Sequence, residues 1–299
     1  MRPILPHPHG ASPARVLRLK LPPMKTRLLI LAVLLSMSIA EYVGMAQTAG
    51  ARGQQNRPAA AAPNRPTTAA ALPRARDGKP DLSGFWQVMN TANFDIQDHS
   101  ARDGVPAGQG VVEGNDLPYR PEALAKKQEN YNTRATADPE TKCLAPGVPR
   151  LMYMPYPFQI VQDSSKLFML FEYASHNRTI HTDATQHPKG GLGLWLGDSR
   201  GHWEGDTLVA DVTDFNDQTW FDRAGNFHSD ALHVVERYSL KDRDHMNYEA
   251  TIEDPNVFTR PWKMKMIFYR RVEENFRVLE YLCWAFPLEK YYPYPSIAH

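Results

Sequence analysis

The sequence predicts an all-β domain: an antiparallel up-and-down barrel with one short helix in a long N-terminal insertion. Three observations predict it. From residue 151 onward, short runs rich in aromatic and β-branched residues follow one another: "RLMYMPYPFQIVQ", "KLFMLFEY", "NRTIHTD", "TLVADVTDF", "LHVVERYSL", "MNYEATIED", "WKMKMIFYRR" and "FRVLEYLCWAF". Turn residues separate them at hairpin spacing: Asp163-Ser164-Ser165, Glu204-Gly205-Asp206, Asp242-Arg243-Asp244 and Asp254-Pro255. No βαβ pattern and no Rossmann or P-loop glycine signature interrupts them. Eight or nine hairpin-connected strands can close without exposed edges, which favours a barrel over a sandwich.

The elements fall in order along the chain. "MKTRLLILAVLLSMSIAEYVGMAQ" begins at Met24, with Lys25 and Arg27 as a basic start and an apolar run from Leu28 to Ile39. Gly44-Met45-Ala46 then offers small residues before Gln47. That is the layout of a secretory signal peptide, and the run is short for a membrane span, so a retained anchor is the lesser reading. Residues 1–23 precede this second methionine and read as an over-long start. Residues 1–46 are therefore set apart as start plus signal. Residues 47–76, rich in Ala, Pro, Gln and Arg without apolar periodicity, read as a disordered leader. Residues 77–299 remain as a single barrel domain, expected to be periplasmic or secreted, with no stable membrane span after cleavage.

Within that domain, "DGKPDLSGFWQV" gives a turn and then a first strand at Gly84-Phe85-Trp86. Residues 90–120 are polar, with Gly and Pro, and read as a long excursion. "PYRPEALAKKQENYNT" reads as the helix, with Pro121 suited to its first turn. "CLAPGVPR" closes the insertion, and "FPLEKYYPYPSIAH" is expected to run as an extended tail over the barrel rim. "RGHWEGDTL" reads as a hairpin turning at Glu204-Gly205-Asp206. The Gly-x-Trp of the first strand resembles the opening of lipocalin-like (calycin) barrels.

The net charge of +1 hides an asymmetry. Of 34 basic and 33 acidic residues, eleven and one lie in residues 1–76, leaving 23 basic and 32 acidic beyond. An acidic domain without a basic stripe argues against nucleic-acid binding. The two cysteines, Cys143 and Cys283, suggest a disulfide in an oxidising compartment, with two buried free thiols as the alternative.

"DGKPDLSGFW", "PGVPRLMYMPYPFQIVQ", "GDSRGHWEGDTLVADVTDFND" and "HSDALHVVERY" resemble a group of exported bacterial proteins, mostly without assigned function. The resemblance spans about residues 77–285, and its most specific stretch is Gly197 to Asp211, close to a GDSRGxWEGDTLVVD string. It implies export and a β-rich domain. Ala210 stands where that pattern has valine, and Thr182-Asp183-Ala184-Thr185 where it has T-D-G-R, so a glycine turn is lost.

Side chains on a strand alternate faces. Thr179, His181 and Asp183 then share one face. His233, Val235 and Arg237 share another, opposite Val234, Glu236 and Tyr238. His176 and His187 fall at the ends of the first segment, and His228 and Asp230 just before the second. The expectation is that His181, Asp183, His228 and His233 meet at one barrel mouth. An imidazole hydrogen-bonded to a carboxylate makes a general acid–base pair, and Arg237 can hold a carboxylate or developing oxyanion. The roles expected are therefore His181, Asp183, His233 and Arg237 for chemistry, and His176, His228, Asp230, Trp195 and Trp220 for holding a substrate. His176, His181 and His233 are the candidate ligands if a divalent metal is used, although none is required. No serine lies in a Gly-x-Ser-x-Gly elbow, which disfavours a serine hydrolase. Asp198 with Arg200 reads as a turn ion pair rather than a catalytic dyad. Glu172, Glu249 and Glu280 are expected within strands.

The functional expectation is lyase, hydratase or isomerase chemistry on a small molecule. The alternative is a non-catalytic periplasmic ligand-binding or carrier protein of lipocalin type, and a structural envelope protein is the third reading.

Overall fold

The computed structural model describes residues 71–102, 105–281 and 283. The signal segment, most of the leader and the tail after Cys283 lie outside the described residues. Nine strands close one barrel in chain order. They are β1 (Gly84–Val88), β2 (Phe158–Gln162), β3 (Lys166–Phe171), β4 (Asn177–His181), β5 (Asp198–Glu204), β6 (Thr207–Thr213), β7 (His233–Leu240), β8 (His245–Glu253) and β9 (Trp262–Arg270). β9 returns to pair with β1, so the sheet has no free edge. The closed order and the insertion helix, α1 (Pro121–Ala137), agree with the sequence.

Two expectations need correcting. The barrel is not purely antiparallel, because β4 and β5 pair parallel through Ile180 with Ser199 and His181 with Arg200. Parallel neighbours cannot be joined by a hairpin. The mostly exposed residues 182–197 therefore form a crossover that brings the start of β5 beside the end of β4. The run after residue 275 is also not a strand among the described residues, and β9 is the last one. Its predecessor hairpins behave as read: β5 and β6 turn at Gly205, which adopts φ +59°.

Alternation builds the core. Along β7 and β8 every second side chain is buried. Burying each large apolar side chain contributes about 1.5–3 kcal/mol. Inside, Phe158 meets Phe268 edge-on at 5.3 Å and Tyr248 stacks on Phe268 at 5.1 Å. Trp86, Ile180, Leu208, Tyr238, Tyr248 and Phe268 are all 0% exposed, so no water-sized space touches them. The middle of the lumen is packed.

The insertion between β1 and β2 covers one end. A turn at Arg150–Tyr153 is buried throughout and sends Met152 into the barrel mouth, where its Sδ lies 3.6 Å from the Arg178 guanidinium. α1 buries little of itself, only Ala123 and Asn130. It is held by the loop between β6 and β7, where Gly225 (φ +83°) passes so close that a Cβ there would stand 2.7 Å from the Tyr131 amide. Asn130 Nδ2 donates to the Gly225 carbonyl across this contact at 3.3 Å. Cys143 and Cys283 form the expected disulfide, with Cα atoms 5.5 Å apart, tying the insertion to the chain beyond β9.

Candidate functional site

The residue pairs that alternation grouped do share faces, but the face is the outer one. Arg178 and Ile180 point into the barrel, while Thr179 and His181 point away. In β7, Val234, Glu236 and Tyr238 point inward and His233, Val235 and Arg237 outward. His181, Asp183, His233 and Arg237 therefore do not meet in a lumen. Asp183 is exposed and accepts from the Thr185 amide at 3.2 Å. That hydrogen bond joins the Thr185 hydroxyl in holding its carboxyl below the usual range, the hydroxyl acting most strongly. Arg237 donates to Glu204 at 2.8 Å as a surface ion pair.

The other expected contacts scatter. His228 is buried in the cap, with Nε2 2.5 Å from the Thr219 hydroxyl and Nδ1 2.8 Å from the Ser229 carbonyl. Burial holds its pKa below the ordinary value. His176 lies beside Tyr173, its Nε2 buried without a partner among the described residues, and burial lowers its pKa too. Asp230 is exposed, Trp195 sits in the crossover, and Trp220 bridges Phe227 in the cap loop. Glu172 and Glu280 lie outside the strands, and Glu249 is in β8. Among the described residues no three His, Cys, Asp or Glu side chains are arranged to hold a metal ion, so His176, His181 and His233 form no ligand set.

Three polar clusters are assembled instead. The first is on the outer face of β5 to β7. His233 Nε2 lies 3.0 Å from Asp211 Oδ1, and His187 Nε2 reaches the same oxygen at 3.4 Å. His187 Nδ1 contacts Asp198 at 2.7 Å, and Arg200 donates to Asp198 at 2.6 and 2.8 Å. Burial alone would raise the Asp198 carboxyl, but Arg200 and His187 outweigh it and hold it low. Asp198 and Arg200 form an ion pair, in strand β5 rather than in a turn. Asp211, the centre of the cluster, was missed, although its two-residue offset from Val209 and Thr213 places it on their face.

The second cluster is inside. Arg178 of β4 pairs with Glu236 of β7, and Glu236 also accepts from the Tyr238 and Tyr248 hydroxyls at 2.9 and 2.8 Å. The Arg178 Nε and Nη2 reach the Ser199 hydroxyl at 3.1 and 3.0 Å. Every strong donor here has an acceptor, so the cluster fills the lumen and leaves no bonding group open to a ligand.

The third cluster underlies the cap. Buried Arg150 donates to Asn93, Asp138 and Glu140 at 2.7–3.0 Å. Arg223 grips Glu140 with two bonds of 2.8 and 2.6 Å. Burial alone would raise the Glu140 carboxyl, but Arg223 and Arg150 hold it below its ordinary value. Nearby Asp222 has no such cation in contact, and burial followed by the Asp95 charge pushes its pKa up to about 6. Above this base opens a cleft of about 520 Å³, lined by Phe94, Arg102, Tyr131, Arg134, Glu140 and Arg223 among others. Its guanidiniums lie over its rings. Arg223 lies 4.7 Å from the Phe94 centroid, and Arg134 and Arg102 lie 4.1 and 5.5 Å from the Tyr131 centroid. None of the site residues expected from the sequence lines this cleft.

Among the described residues no helix is long and apolar enough to cross a membrane. No family model matches the chain, and no curated protein does. Among solved structures, the chain is similar to a crystal structure of a mutant of the fluorescent protein UnaG. That match has 11% identity and a TM-score of 0.30, covering 64% of this chain and 97% of the other. The barrel assignment rests on the strand pairing itself.

Proposed function

We propose that this chain is an exported small-molecule-binding protein, a carrier rather than an enzyme, which holds its ligand in the cleft over the capped end of the barrel. The carrying observation is the cleft of about 520 Å³ walled by Phe94 and Tyr131. That volume lies in the range of small-molecule sites, and its lining sets two rings among charged and polar side chains that can orient a ligand. The lumen offers no comparable space beside Tyr238, Tyr248 and Phe268, each 0% exposed. Export is supported by the disulfide and by the layout of residues 24–47.

A second reading keeps acid–base chemistry but moves it to the outer face. It is favoured by Asp211 standing between His187 and His233 at 3.4 and 3.0 Å. These groups are 29–46% exposed and line the surface, where a substrate would be weakly desolvated.

One experiment separates the two. A small-molecule library is screened by thermal shift against the wild type, Tyr131→Ala and Asp211→Asn. A ligand at one hundred times its Kd stabilises by about 2.7 kcal/mol, a readable shift. The carrier reading expects hits whose stabilisation is lost in Tyr131→Ala and kept in Asp211→Asn. The reverse pattern overturns it and moves the site to the outer face.

A further inference from the structure

We infer that the cleft selects a flat apolar ring bearing one negative charge, an aromatic carboxylate in chemical class, with Arg134 meeting the charge and Tyr131 and Phe94 walling the ring. This rests on the cleft being the ligand site.

The charge requirement follows from the pairing around the cleft. Arg150 is matched by Asp138 and Glu140, Arg223 by Glu140, and Arg102 by Asp95 at 2.9 Å. Arg134 makes no ion pair among the described residues. Its Nη1 donates to the Tyr131 carbonyl at 2.6 Å, which anchors the guanidinium while Nε and Nη2 remain for a ligand. Arg223 uses Nε and Nη2 on Glu140 and keeps Nη1, and Arg102 uses Nη2 on Asp95 and keeps the rest. A ligand carboxylate would give the Arg134 guanidinium the ionic partner it lacks. A guanidinium takes a carboxylate in a two-point bond, stronger than a neutral hydrogen bond. A neutral ligand leaves the Arg134 charge unmatched.

The ring requirement follows from the walls. Guanidinium carbons lie over Tyr131 and Phe94, so the cleft brings aromatic rings and cations together. A planar aromatic body stacks on both kinds of surface, whereas a bulky saturated one meets neither well. A carboxylate fixed to such a ring satisfies Arg134 without requiring the ring to leave the wall.

The test is calorimetric titration of the full chain with naphthoate and with its neutral isostere naphthamide. Wild type is compared with Arg134→Gln, Arg134→Lys and Tyr131→Ala, each checked for an unchanged melting transition. The inference expects naphthoate to bind roughly tenfold or more tighter than naphthamide, the discrimination a charge-assisted contact supplies. It expects Arg134→Gln to abolish that preference without weakening naphthamide. Arg134→Lys, which keeps charge and loses the fork, should retain the preference at reduced affinity. Equal binding of both probes, unaltered by Arg134→Gln yet lost in Tyr131→Ala, overturns the charge selection and leaves the cleft as the ligand site. Failure of both probes to bind, or binding indifferent to Tyr131→Ala and Arg134→Gln, overturns both readings.

Discussion

At Arg178 and Glu236 two full charges sit in the barrel, 2% and 0% exposed, held by each other, two tyrosine hydroxyls and Ser199. Burial by itself would lower the Arg178 pKa, and the Glu236 charge more than reverses this, so the guanidinium stays charged. Removing one partner leaves the other charge buried and unmatched, which costs about 3–5 kcal/mol. Glu236→Ala is therefore expected to lower the unfolding free energy by that amount in urea titration. Glu236→Gln, which still accepts from Tyr238 and Tyr248, should lose less. A loss below about 1 kcal/mol in Glu236→Ala would show that the pair is not held as described. The sequence was half sufficient here. Parity along "HVVERYSL" put Glu236 with Val234 and Tyr238 and His233 with Arg237, and the structure keeps those groupings. The side was also marked, because Val234, Tyr238 and Leu240 form the more apolar set, but the histidines drew attention to the other face. In β4 only Ile180 marks the inside. Its companion Arg178 finds its acid 58 residues further on, a partner no local pattern reveals.

Strands and hairpins were legible element by element because short aromatic runs and turn residues are local signals. The direction of pairing was not. β4 and β5 are consecutive, and a neighbour joined by a hairpin would be antiparallel, yet residues 182–197 are too long for one. That length was the available sign of a crossover. The crossover begins under strain. Ala184 adopts φ +60°, a left-handed conformation that glycine occupies freely and other L residues at a cost of about 1–2 kcal/mol. Ala184→Gly relieves the backbone and gives back part of the gain through a freer unfolded chain, so a net stabilisation of about 0.5–1 kcal/mol is expected. Thermal unfolding checks it. A drop in melting temperature would mean that the Ala184 methyl is held by contacts that offset the strain.

For the whole molecule, the sequence announced an insertion, a helix and a pair of cysteines, but not where the insertion lands. The cleft draws on Phe94, Arg102, Tyr131, Arg134, Glu140 and Arg223, which come from separate segments of the insertion and from the loop after β6. Only docking brings them together, so nothing in their spacing could have pointed to a site. The disulfide is the covalent part of that docking. It closes a loop of 140 residues, and loop closure on that scale restricts the unfolded chain by an amount worth about 4–5 kcal/mol in the chain-entropy account, of which roughly 2–4 is commonly realised. It also fixes the segment carrying Tyr281, whose ring packs on Tyr156 at 5.2 Å and Tyr173 at 5.7 Å. Cys143 in turn directly follows the turn Pro139–Lys142 that holds Glu140 beneath the cleft. Cys143→Ser with Cys283→Ser should therefore lower stability by roughly 2–4 kcal/mol in denaturant titration. The loss should match that of the reduced wild type, and reductant should leave the variant unchanged. Most of the barrel strands lie within the closed loop, so the loss should appear as an earlier unfolding of the barrel itself. A cap that melts alone at the old barrel temperature would show the bond acting only on its own ends.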